Sequence, residues 1–188
     1  MKRIHKVALA SGVAGVLALG GVAIAQHSVV TGSAQPAPVS IVNSVNIPPA
    51  LAVPAGQKLV ATMEVEQGSQ VYTCTKNTYT LLAPAAVLKS GNQLVLHTSG
   101  PEWVSDNDGS SVVGAEVASS PRPNAVPELL LKSTANHGTG LFGNVDFIQR
   151  LETMGGVAPT TSCTDGTQLA VPYHAQYRFY VPATVPTT

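Results

Sequence analysis

His97, Trp103, Asp106 and Asp108 lie within one short stretch that brings together an imidazole, the only tryptophan of the chain and two carboxylates. If the fold made them converge, they could hold a polar ligand, or His97 could work with Asp106 or Asp108 in hydrolysis or metal-assisted chemistry. His174 and Arg178 share the even-numbered face of a later strand and form a second candidate ligand edge. Neither His97 nor His174 sits in an H-x-H or H-x-x-H spacing, so no metal ligand set is written into the local sequence.

Other motifs carry less chemistry than their letters suggest. Asp106-Asn107-Asp108-Gly109-Ser110 resembles the front of a calcium loop, where alternating carboxylates supply hard oxygen ligands. The strand-like Val112-Val113 follows where further oxygen ligands are needed, so a hairpin turn is the expectation. Gly138 to Gly143 reads G-x-G-x-x-G, but a dinucleotide site needs a helix opening after it, and Val145-Asp146-Phe147-Ile148 is strand-like. A glycine-rich turn is expected there, and no cofactor. G-x-S-x-G, the serine-hydrolase elbow, is absent from the sequence.

The elements that position these residues follow from composition and patterning. The 188 residues contain 10 basic and 10 acidic side chains, 17 glycines and 14 prolines, with only 11% charged. A chain with no basic excess argues against a nucleic-acid partner. Lys2, Arg3 and Lys6 precede the uncharged stretch 7–24, and Ala23-Ile24-Ala25 is an A-x-A cleavage site. Residues 1–25 are therefore expected to be a signal peptide, removed so that no stable membrane anchor remains. The 7 basic and 10 acidic residues then left would give a mildly acidic exported protein. Had cleavage fallen after Gln26, His27 would be a candidate copper ligand, but glutamine suits the position before the cut poorly.

Residues 26–46, with no charged side chain, read as a flexible tether, 47–183 as one domain and 184–188 as a C-terminal tail. Cys74 and Cys163 are the only cysteines of an expected exported chain and predict one structural disulfide. From Lys58 onward the hydrophobic period is two. Strands are expected over 58–66, 71–75 and 78–82, with Gln67-Gly68-Ser69-Gln70 as a turn and Pro84 to Leu88 as a short helical turn. The stretch 93–97 is expected to turn Leu94 and Leu96 inward, and 112–118, 129–132 and 145–151 supply further strands. The strongest alternation runs from Val171 to Val181, with Tyr173, Ala175, Tyr177 and Phe179 on one side. Eight or so short strands predict an all-β fold, an antiparallel sandwich or barrel with one disulfide.

An ordered set of words is spread over about residues 47–181. It includes Tyr72-Thr73-Cys74, His97 with Gly100-Pro101-Glu102-Trp103, Asp108-Gly109-Ser110, Leu129-Leu130-Leu131-Lys132, Gly138 to Phe142, Ile148-Gln149-Arg150, Cys163 and Val171-Pro172-Tyr173. The set resembles the secreted bacterial and fungal family termed domain of unknown function 3455. Thr98-Ser99, Glu128, His174 and Arg178 depart from its commoner residues. The resemblance implies export and a single domain, and brings no assigned catalytic residues. The expected function is an exported or periplasmic binding or envelope-associated module, with a cell-wall or extracellular glycan as partner. The rival is a secreted hydrolase or metal-dependent enzyme built on His97 with Asp106 or Asp108.

Overall fold

The computed structural model describes residues 45–183. The expected signal peptide, nearly all of the expected tether and the C-terminal tail lie outside the described residues. Eight strands follow one another as β1 (Gln57–Thr75), β2 (Thr78–Ser90), β3 (Gln93–Thr98), β4 (Glu102–Ser105), β5 (Ser111–Arg122), β6 (Ala125–His137), β7 (Phe147–Gly155) and β8 (Gln168–Pro182). Each pairs antiparallel with its sequence neighbour, and β8 returns to β1, closing a barrel. The β8–β1 pairing removes the free edges that the first and last strands would otherwise present, which suits a strand-rich chain with few charges to guard them.

In such an up-and-down barrel the connections alternate between two ends. The β2–β3, β4–β5 and β6–β7 connections form the base. The β1–β2, β3–β4, β5–β6 and β7–β8 connections form the opposite rim.

The base is packed solid. Phe142, from the glycine-rich β6–β7 connection, is fully buried against Phe179, with ring centroids 4.8 Å apart. Met63, Leu88, Val95, Val112 and Ile148 complete the filling. The inward residues of β8 are Tyr173, Ala175, Tyr177 and Phe179, as the alternation predicts.

Outside the barrel, a single 3-10 turn (Pro49–Leu51) covers Leu130, Phe147 and Leu151, and Val45, Ile47 and Val53 pack beside it. Gln149 Nε2 donates to the Leu51 carbonyl at 2.6 Å, and Tyr180 Oη donates to Gln149 Oε1 at 2.7 Å. This strap makes β7 buried on both faces.

Three local expectations are corrected. The stretch Gln67 to Gln70 is no turn; β1 runs through it with shifts of register. A Cβ on Gly68 would stand 2.7 to 2.9 Å from Val65, Ala86 and Tyr173, so the glycine lets the strand bend tightly over the core. Pro84 to Leu88 is strand, not helical turn. Pro84 pairs with Gln70 of β1, and the β2–β3 ladder begins only at Ala86, so the missing N–H breaks no bond on that side. In β3 the inward residues are Val95 and His97, whereas Leu96 is exposed, a one-residue parity change that exchanges the two faces.

The disulfide forms as expected, between Cys74 and Cys163. It joins the end of β1 to the β7–β8 connection, so it ties two pieces of the rim. Cys74 N–H donates to Thr167 O, Gly166 N–H to Cys74 O and Asn77 N–H to Asp165 Oδ1, all within 3.0 Å. The hairpin tip between them is a tight turn in which Lys76 and Asn77 both adopt positive φ, 52° and 60°.

Candidate functional site

The wall of the barrel is uneven. β1 has 19 residues, while β3 and β4 have 6 and 4. The rim half of β2, up to Ala85, and the part of β5 beyond Val113 therefore lack a partner on the short side. A cavity of about 730 Å³ opens there. Leu81, Leu82, Gly100 and Pro101 form its lip, and Gln70, Tyr72, His97, Trp103, Arg150 and Tyr177 are among its lining residues. A volume of this size accommodates a small organic molecule.

Trp103 forms the floor. It lies opposite His97 across the β3–β4 ladder, and Tyr177 meets both rings edge-on at centroid distances of 5.3 and 5.6 Å. Gly114 makes room for the indole: a Cβ there would stand 3.3 Å from Trp103 Cζ3. His97 is buried, and its Nδ1 lies 2.9 Å from the Glu102 carbonyl. A carbonyl only accepts, so Nδ1 carries the proton and Nε2 keeps its lone pair. Burial pushes the His97 pKa down to about 4, the Glu102 carbonyl opposes that shift and the Arg150 charge adds to it. The ring is neutral at physiological pH.

Arg150 stands on the inward side of β7, between Leu129 of β6 and Tyr177 of β8. Its Nε and Nη2 donate to the Pro127 carbonyl at 3.1 and 2.8 Å. Burial raises the phenol pKa values of Tyr72, Tyr173 and Tyr177, and the Arg150 charge pulls each of them back. One guanidinium thus acts on three tyrosines and His97. Among the described residues no carboxylate lies within ion-pair distance of Arg150. The acidic residue of the cavity wall is Glu116, which is exposed. Two buried donors on residues of the same lining also lack partners, Gln70 Nε2 and Trp103 Nε1.

Of the six residues singled out in the sequence, the structure brings His97 and Trp103 together in the cavity. Asp106 and Asp108 sit in the β4–β5 turn at the base and do not line it. Asp108 instead organises the glycine-rich connection: Oδ1 accepts from Ser110 N–H and Oγ at 2.9 and 2.6 Å, and Oδ2 from Leu141 N–H at 3.0 Å. Its pKa falls to about 2, through the Ser110 hydroxyl first and then the Leu141 and Ser110 amides. The segment is a turn, with Gly109 at φ 69°.

His174 and Arg178 lie on the outer face of β8. His174 Nδ1 bonds Val65 O at 3.1 Å and its Nε2 is 3.3 Å from Glu64, while Arg178 Nε donates to Gln176 Oε1. The arrangement of His97 with Asp106 or Asp108 is therefore not assembled. No group of three His, Cys, Asp or Glu suited to a metal ion occurs among the described residues.

The fold and site define an antiparallel barrel plugged at one end and opening into an aromatic-walled cavity at the other. Residues 87–181 match the family model described as Protein of unknown function (DUF3455), and the chain belongs to that family. No curated protein and no solved structure matches it. Among the described residues no helix is long and apolar enough to cross a membrane.

Proposed function

We propose that this protein is an exported binding module that takes a small organic molecule into the mouth of its barrel. The observation that carries the reading is the cavity of about 730 Å³ walled by Trp103, Tyr72, Tyr177, Leu129 and Leu131, with unpartnered polar atoms on Gln70 and Trp103. Folding normally leaves few buried donors without partners, so these two mark a polar patch directly behind an otherwise aromatic and aliphatic lining. The disulfide across the rim supports an oxidising compartment. The leader pattern of residues 1–25 supports export as well. Trp103 is only 1% exposed, which favours a guest inside the cavity over a glycan chain stacked on the surface.

Trp103 is the single tryptophan, so its emission reports on the floor of the cavity. The full chain, titrated with small amphiphiles such as N-phenyl-1-naphthylamine, should show a saturable change at one equivalent. Val126→Phe, which adds bulk to the lining, should weaken it. No saturable binding by any amphiphile to the folded protein, or equal binding to the filled variant, would overturn the reading. For export, the mature chain recovered outside the cytoplasm should begin after Ala25; an uncut chain retained inside refutes that part.

A further inference from the structure

Resting on that reading of the cavity, we infer that its guest is an organic anion, an aromatic or alicyclic body bearing one carboxylate or sulfonate that pairs with Arg150. The inference starts from an imbalance of charge. Arg150 brings a permanent cation to the inner face of a barrel, and the Pro127 carbonyl that orients it carries no charge to neutralise it. Of the five N–H groups of a guanidinium, two are spent on Pro127 and one is directed at the Tyr177 hydroxyl, which leaves two for a guest. Their fork matches two oxygens of one acid group.

The remaining polar lining points the same way. Gln70 Nε2 and Trp103 Nε1 are donors without partners, and both residues are about 1% exposed. Tyr72 spends its hydroxyl proton on the Gly156 carbonyl. With His97 protonated on Nδ1, its Nε2 is an acceptor, as is the exposed Glu116 carboxylate, whereas Arg150, Gln70 Nε2 and Trp103 Nε1 are donors. A donor-rich, cationic, aromatic-walled pocket selects against cations and suits an acceptor-rich anion with an apolar body. Glu116, exposed on the wall, forms no ion pair with Arg150 and would repel a second negative group, which favours a single charge.

The test uses two probes of one scaffold. 1-Anilinonaphthalene-8-sulfonate and N-phenyl-1-naphthylamine differ by the sulfonate, so the ratio of their affinities isolates the anion. The full-length protein should bind the sulfonate roughly ten-fold or more tightly, as expected for a charge-assisted pair in a partly dry site. Arg150→Gln should abolish that preference, bringing the ratio of the two affinities to about one. Arg150→Lys, which keeps the charge and loses the fork, should fall between. Near-ultraviolet circular dichroism and quenching of Trp103 at one equivalent show that the fold and the site are intact, and the lysine variant decides if the glutamine variant does not fold.

Equal affinity for the two probes, or a preference untouched by Arg150→Gln and Arg150→Lys, overturns the anion while leaving the cavity reading standing. Binding of neither probe to the folded protein overturns both.

Discussion

His97 stacks on Trp103 with ring planes 5° apart and centroids 4.4 Å apart, a pairing fixed by their direct opposition across β3 and β4. The stack shields a neutral imidazole and places it at the junction of the packed base and the open cavity. Its consequences extend to stability.

The folded pKa of His97, about 4, lies below its unfolded value of about 6.5, so the unfolded chain binds the proton more readily. The stability is fully present above pH 6.5 and declines as the pH falls towards 4, by about 3 kcal/mol at most. Thermal melts across this range should show the slope, and His97→Gln should flatten it. Parallel pH profiles of the two proteins would contradict the assignment.

Opening the Cys74–Cys163 bond removes a cross-link between residues separated by 89 positions. Cys74→Ser with Cys163→Ser should lower the unfolding free energy by about 4 kcal/mol. Urea titration of the two proteins measures this. Because the bond joins rim to rim, amide exchange in 74–78 and 163–167 should accelerate before that of β7.

Arg122 Nη1 lies 2.7 Å from Glu128 Oε1, and the same oxygen accepts the Glu152 N–H at 2.8 Å. Glu128 is 4% exposed, so Arg122→Ala strands a buried carboxylate and should cost about 3 kcal/mol. Adding Glu128→Gln should recover much of that loss. A double variant no more stable than the single one would argue against the pair as the cause.

Asp108→Ala should lower the melting temperature by several degrees, because three donors in the β4–β5 turn and the β6–β7 connection lose their acceptor. It should leave probe binding in the cavity unchanged, since Asp108 lies at the base. Loss of binding with an unchanged melting temperature would reverse that assignment.

What could be read from the residues depended on how many faces of each strand are covered. β8 has one wet face, and its alternation placed Tyr173, Tyr177 and Phe179 correctly. The β4–β5 hairpin was readable from Asp-Gly because positive φ restricts the residues allowed there. β7 is covered outside by the Pro49–Leu51 turn, so Phe147, Ile148, Gln149 and Leu151 are all buried and period two disappears. Arg150 in that run consequently gave no sign of facing inward, although its parity with Ile148 was a usable cue. In β3 the error came from hydrophobicity itself: Leu94 and Leu96 outrank His97 by composition, yet His97 is inside because Trp103 and the Glu102 carbonyl receive it. The neighbourhood of His97 and Trp103 was visible in sequence. The base position of Asp108 was not, since it follows from which end of the barrel each connection occupies.

β1 begins and β8 ends together at the base, where Ala183 N–H donates to the Gly56 carbonyl at 2.8 Å. Ala183, the last described residue, therefore lies at the stopper of the vessel rather than at its opening. A reporter or surface linkage fused there would hold the protein upright, with its mouth turned towards the medium and free to fill.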